Sequence, residues 1–266
     1  MLSGMLTRPR PEIRHVGEAA SPFGIIMNDA DAADAAAPTF VLVHGIGMSH
    51  RYLRRLHAEL AESSRVVSLD LPGFGRTPKP GADLDVADMA DALASLLETL
   101  SPTRVVLVGH SMGAQWIVET ARRHPHLVAH TVVIGPVVDD EHRTLGAQML
   151  ALAVDTLREA PLANLIVFSD YVRCGVPWYL TQLRHMLAYR IEDAARDLQM
   201  PLLVIRGTKD PVAGREWCRR LRDAAPVSAL VEVPGRPHVV QHSAPRAVAS
   251  AIHSHIHAHS RESGAV

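Results

Sequence analysis

Short apolar, β-branched runs recur along this chain, and most stop at a turn signal. Thr39–Val43 precedes His44-Gly45, and Arg65–Leu69 precedes Asp70-Leu71-Pro72-Gly73. Arg104–Val108 stops at Gly109, Ala229–Val233 at Pro234-Gly235, and Val128–Ile134 and Leu202–Ile205 belong to the same set. Runs with so little polar alternation are what strands buried on both faces look like. Segments of helical spacing lie between them. Arg51–Glu62 carries Leu53, Leu56 and Leu60, and Leu84–Leu100 carries Met89, Leu93, Leu96 and Leu97. Gly113–Arg123 closes on two arginines just before Pro125, which suits a helix C-terminus. Strands alternating with helices predict an α/β chain whose mostly parallel central sheet is flanked by helices on both faces.

The alternation breaks over 137–199, a stretch of about sixty residues that reads as mostly helical between the fourth and fifth runs. It is expected to be an insertion into a core formed by 1–136 and 200–266. The first forty residues are weakly patterned, with strand expected at Glu12–Val16 and Gly24–Met27. Pro245–His259 reads as a final helix.

Composition removes several function classes. Lys+Arg number 27 against 28 Asp+Glu, a net charge of −1, so there is no field to hold a polyanion and nucleic-acid binding is disfavoured. Two cysteines, Cys174 and Cys218, cannot make a disulfide scaffold and suit a reducing compartment. The sequence shows neither an uninterrupted apolar stretch of membrane-spanning length nor the apolar core of a secretory signal. The expected location is therefore cytoplasmic.

Gly109-His110-Ser111-Met112-Gly113 falls directly after a strand and directly before a helix. In that context a G-x-S-x-G pattern marks a nucleophile held on a sharp turn above the sheet, with Met112 N–H at the helix start as an oxyanion donor. A serine needs a base, and the base an orienting acid. In this arrangement the acid follows the serine and the histidine comes last. Asp210, after the fifth run, and His238, after the sixth, both emerge at the carboxyl edge of the sheet, where open α/β sheets place their working residues. Rivals are His242 for the base and Asp139 or Asp140 for the acid. The loop His44-Gly45-Ile46-Gly47 is flexible enough to approach the serine, with Ile46 N–H as the second donor. His44 is expected to hold that loop, and His110 to turn its side chain away from the site.

These residues resemble the α/β-hydrolase superfamily, in its serine branch with a helical cap. The resemblance runs from about Thr39 to Ile256 and rests on His44-Gly45-x-Gly47, Asp70–Gly75, Gly109–Gly113 and Gly207-x-x-Asp210-Pro211, followed by a late histidine. The chain departs from the family pattern with Pro237 before the histidine and Ser243 five residues after it. Pro245 stays in register and favours His238 over His242. The resemblance implies hydrolysis through an acyl-enzyme: Ser111 attacks a carbonyl, the Ile46 and Met112 amides hold the oxyanion, and His238 protonates the leaving group. It makes 137–199 the cap, places Phe74 at the edge of the site, and implies no metal or other cofactor.

The cap segment is rich in large apolar side chains, and Met149, Phe168, Trp178, Tyr179 and Met186 are the pocket candidates beside Phe74. Such a lining over a polar triad fits a small, largely apolar molecule. The leading expectation is an enzyme that hydrolyses a carboxylic ester or lactone. The alternatives on the same triad are carbon–carbon bond hydrolysis of a ring-cleavage dienoate, or cofactor-free acyl transfer or perhydrolysis. A third is a non-catalytic ligand-binding protein. The chain also has 16 histidines. In the tail, His253/His257 and His255/His259 are i,i+4 pairs on different helix faces, with no carboxylate or cysteine nearby in sequence to complete a metal shell.

Overall fold

Strands made of uninterrupted valine, leucine and phenylalanine need cover on both sides. The computed structural model describes residues 13–15, 24–28, 37–102, 104–139 and 161–262, and supplies that cover. Its sheet contains β1 (Ile13–His15), β2 (Gly24–Asn28), β3 (Thr39–Val43), β4 (Arg65–Asp70), β5 (Val105–His110), β6 (His130–Ile134), β7 (Leu202–Gly207) and β8 (Ser228–Val233). The spatial order is β1-β2-β4-β3-β5-β6-β7-β8. From β4 to β8 every neighbouring pair is parallel, whereas β2 runs antiparallel to both β1 and β4. The strand order reverses between β3 and β5. That reversal is a topological switch point, the place where open α/β sheets put their ligand sites.

Two apolar layers cover the sheet. Val41 and Val43 of β3 face one layer with α2 (Val86–Leu100), α3 (Gly113–Arg123) and α7 (Arg215–Ala224). Phe40 and Leu42 face the other, with α1 (Arg54–Leu60) and α9 (Pro245–Glu262). This is the two-residue side-chain period of a strand. Helix α2 starts at Val86 because Asp85 caps it: its carboxylate accepts from the Ala87 and Asp88 amides at 2.8 and 2.9 Å, and Asp88 returns the bond. Between β6 and β7 lie α4 (Pro161–Cys174), α5 (Val176–Ala188) and α6 (Ile191–Arg196). The short α8 (Val240–Ser243) precedes α9.

The expected strands are present, with small shifts. β5 continues through Gly109 and His110, because those residues still pair with β6. β6 begins only at His130, after a short 3-10 turn over Pro125–Leu127. Helix α7 was not anticipated. Its register is carried by Trp217, Cys218 and Leu221, buried on one side of an otherwise charged segment. No helix among the described residues is long and apolar enough to cross a membrane.

Buried neutral histidines tie this fold to pH. His130, at the start of β6, packs edge-on against His255 and His259 of α9. Burial lowers both His130 and His255 to about 4, helped by neighbouring histidines and, at His130, by Arg104. His57, bonded to Ser68 Oγ at 2.7 Å, is likewise lowered to about 4 by burial and by His50. Each folded-state value lies below the unfolded one, so the unfolded chain takes up protons first. Stability is complete above about pH 6.5 and declines as pH falls toward 4. Together these groups account for a loss on the order of a few kcal/mol across that range, with His130 and His255 acting as a coupled pair. Thermal unfolding followed between pH 7 and 4.5 should show a steep loss, and His255→Leu should flatten it. An unchanged slope in that variant contradicts the assignment.

Candidate active site

A parallel strand that passes straight into a helix needs an abrupt change of direction. β5 ends at His110 and α3 begins at Gly113, so Ser111 takes the turn with a φ of 56°. A left-handed conformation costs a side-chain-bearing residue ~1–2 kcal/mol. The turn is held by the Ser111 amide donating to the Ile134 carbonyl at 2.9 Å, and by Ala114 N–H donating back to the Ser111 carbonyl at 3.0 Å. The flanking glycines make it possible. A Cβ on Gly109 would overlap the Gly113 carbonyl, and a Cβ on Gly113 would overlap the His44 carbonyl. Gly113→Ala is expected to destabilise the protein by ~2 kcal/mol or more, because backbone and not a flexible side chain must give way. Urea unfolding measures this, and a midpoint equal to wild type would contradict it.

The loop after β3 presses on the serine from the other side. A Cβ on Gly45 would stand 3.0 Å from Ser111 Cβ, so the chain leading to Ile46 passes directly against the turn. His44 holds this loop, as expected. Its Nδ1–H donates to the Gly45 carbonyl at 2.8 Å, and its Nε2 accepts from Leu71 N–H at 3.1 Å. Burial lowers its pKa, which keeps the ring neutral in that tautomer. Asp70 gathers the loop that follows β4. Its carboxylate accepts from the His50 amide at 2.7 Å and from the Arg76 amide at 3.2 Å. Phe74, on that loop, is buried among His44, Trp116 and Trp178. Ile46 and Met112 are also buried, Met112 at the N-terminus of α3, where helix amides point outward.

The loops after β7 and β8 bring Asp210 and His238 together. Asp210 Oδ1 accepts from the Val212 and Ala213 amides at 2.8 and 2.9 Å, and Oδ2 accepts from His238 Nδ1–H at 2.9 Å. Burial alone would raise this carboxyl. The His238 ring and the two amides outweigh that and hold its pKa below the ordinary carboxylate value. The Ile134–Gly135 segment joins the pair to the serine turn. Ile134 accepts from the Ser111 amide, and a Cβ on Gly135 would stand 2.9 Å from the His238 ring and 3.4 Å from Asp210 Oδ2. Only a glycine, here at φ 56°, lets β6 pass so close.

His110 departs from expectation. Its side chain does not turn away but lies beneath His238, ring centroids 4.7 Å apart, with Nε2–H donating to the His238 carbonyl at 3.3 Å. Burial, then the His238 charge, push its pKa well down, so it remains a neutral support. Arg206 is a supporting residue that sequence reasoning missed. Its buried guanidinium donates to the Ala213 carbonyl at 2.7 Å and to Glu232 at 2.6 Å, bracing the turn that carries Asp210. The signal was present: a lone charge at the end of the apolar run Leu202-Leu203-Val204-Ile205.

Two of the rivals make other contacts. His242 stacks on Tyr52, and Asp139 pairs with Arg220 at 2.7 Å. Asp140 falls outside the described residues, as does the pocket candidate Met149. Phe168 is a correction. It is 67 % exposed, on the face of α4 opposite the buried Asp170 and Cys174, and so is turned away from the core. Trp178, Tyr179 and Met186 pack α5 against the loops after β3 and β4 and against α3. Trp178 covers Gly73, Tyr179 stands against Gly47, and the Met186 carbonyl accepts from Gln115 at 3.0 Å. In the tail, His253 packs on Phe40, and His255 with His259 on His130. Among the described residues no three His, Cys, Asp or Glu side chains are placed to hold a metal ion.

A mostly parallel sheet whose central strand turns through a strained serine into a helix is the α/β-hydrolase fold. The Alpha/beta hydrolase family model matches residues 40–251, and the chain belongs to that family. Over 99 residues it is 36 % identical to an uncharacterised protein of Mycobacterium tuberculosis, which covers 37 % of this chain but only 29 % of that one. It is 25 % identical over 248 residues to the 2-(acetamidomethylene)succinate hydrolase of Mesorhizobium japonicum, covering 84 % of this chain and 89 % of the relative. The enol-lactonase from Burkholderia xenovorans LB400 superposes with a TM-score of 0.74 at 21 % identity, covering 88 % of this chain and 96 % of the neighbour.

Proposed function

We propose that this protein is a serine hydrolase acting on a carboxylic ester or lactone, with Ser111 as nucleophile, His238 as base and Asp210 as its orienting acid. The observation that carries the reading is the buried Asp210–His238 bond, made at the carboxyl edge of the sheet and one segment, Ile134–Gly135, away from the strained serine. With Nδ1–H committed to Asp210, His238 presents Nε2 as the base. It takes the Ser111 proton as Oγ bonds to the substrate carbonyl carbon. The carbonyl oxygen becomes an oxyanion facing the Ile46 and Met112 amides. His238 returns the proton to the leaving alcohol as the carbon–oxygen bond breaks. Water, deprotonated by the same imidazole, then releases the acid and restores Ser111. None of these steps draws on a cofactor or metal.

In this reading 137–199 form a cap over a core of 1–136 and 200–266. Phe74, Trp178, Tyr179 and Met186 supply the apolar wall against which a small acyl or alcohol group sits. The unbridged, buried Cys174 and Cys218 suit a cytoplasmic setting.

The test uses a fluorophosphonate probe with mass mapping, alongside a panel of short p-nitrophenyl esters, small lactones and a yellow ring-cleavage dienoate. Labelling at Ser111 with turnover of esters or lactones is expected. Bleaching of the dienoate alone would move the assignment to carbon–carbon bond hydrolysis. Absence of both label and turnover would overturn the enzyme reading.

A further inference from the structure

Asp170 has no part in the reaction above, yet it is 1 % exposed. It projects from α4 onto the segment that follows Ile46. Ser49 Oγ–H donates to its Oδ2 at 2.6 Å, and Arg51 Nη1 donates to its Oδ1 at 3.3 Å and to the neighbouring Ser169 Oγ at 3.2 Å. The next residue, Tyr171, lies so tightly on Gly47 that a Cβ there would overlap the ring, and Gly47 itself has a φ of 73°. From the opposite side, the His50 amide and its Nδ1 both meet Asp70 Oδ1, at 2.7 and 2.8 Å. Within the turn, Met48 N–H donates to the Gly45 carbonyl at 3.2 Å. The stretch carrying the Ile46 amide is therefore suspended between two carboxylates. Asp70 belongs to the core, and Asp170 to the inserted helices.

We infer that Asp170 is a positioning residue for the oxyanion loop: through Ser49 it makes the seating of α4 a condition for correct aim of the Ile46 amide. This rests on the serine-hydrolase reading and extends it, because the inserted helices then act on the transition state as well as walling the substrate. A buried carboxylate that loses its donors is heavily penalised, so Ser49 and Arg51 stay fixed while α4 is seated. Donors aimed at the oxyanion contribute far more to the transition state than to the bound substrate. Loss of this aim should therefore lower kcat and spare KM.

The experiment compares Ser49→Ala, Asp170→Asn and the double variant in the full chain. It measures the rate of fluorophosphonate labelling of Ser111, and kcat and KM for p-nitrophenyl acetate. Both single variants should lose tenfold or more in labelling rate and in kcat, with KM within about threefold of wild type. The double variant should be no slower than the slower single, since both changes cut one link. If Asp170→Asn does not fold, Ser49→Ala, which removes one hydroxyl, decides the matter alone. A loss below tenfold, or one carried in KM, overturns the inference even if the melting temperature falls. Wild type that labels normally beside variants that label equally fast sinks this inference only. Wild type that does not label sinks the hydrolase reading and this inference together.

Discussion

Ser111→Ala is expected to lower kcat for ester hydrolysis by about 10⁵- to 10⁶-fold and to abolish fluorophosphonate labelling, with the fold intact. The size follows from the unit character of the site. Without Oγ there is no bond to the acyl carbon, and His238 has no nucleophile to activate. What remains is water attack helped by the amides alone. Ser111→Gly should be equally inactive and more stable than wild type by ~1 kcal/mol. At φ 56° the serine side chain carries a steric cost that glycine does not. Turnover and urea midpoints for the two variants check both halves. A Ser111→Ala enzyme retaining a hundredth of wild-type activity would contradict the nucleophile assignment. A destabilised Ser111→Gly would contradict the strain at the turn.

Asp210→Asn should cost about ten-thousand-fold in kcat near neutral pH, although the two side chains have nearly the same shape. The hydrogen bonds dictate the outcome. Oδ1 accepts two backbone amides, from Val212 and Ala213, so an asparagine keeps its carbonyl oxygen on that side. Its amide nitrogen then faces His238 Nδ1 and donates to it. The ring is forced to carry its proton on Nε2, and so cannot take the one from Ser111. In the proposed cycle, the depressed Asp210 pKa keeps the wild-type carboxylate charged whenever His238 is protonated. Single-turnover rates of Asp210→Asn, with the circular dichroism spectrum as a check on folding, test this. Loss of less than a hundredfold would show that Asp210 only packs against the ring.

Most of what could be read in advance was local backbone physics. The runs Thr39–Val43 and Leu202–Ile205 declared buried strands because apolar residues without alternation have no other stable home. The G-x-S-x-G turn was legible because its glycines answer steric demands within a few residues, at the Gly113 and His44 carbonyls. The positions of Ser111, Asp210 and His238 were legible because each lies just after a strand. Helix α7 was harder to see, because its three buried side chains sit in a strongly charged segment.

Phe168 shows where such reasoning stops. Its apolarity points inward, but the buried Asp170 and Cys174 occupy the opposite side of α4, and the helix period leaves Phe168 outside. Likewise His110 adjoins the serine in sequence, yet it serves the histidine 128 residues away. The chain's own pattern of strands, glycine turns and helix spacings settles the sheet, the serine turn and the loops that deliver Asp210 and His238, because those demands act between near neighbours. The partnerships of Ser49 with Asp170, His110 with His238 and Arg206 with the Asp210 turn emerge only when distant segments pack. A polar side chain carries no mark of its partner until burial removes water as the alternative.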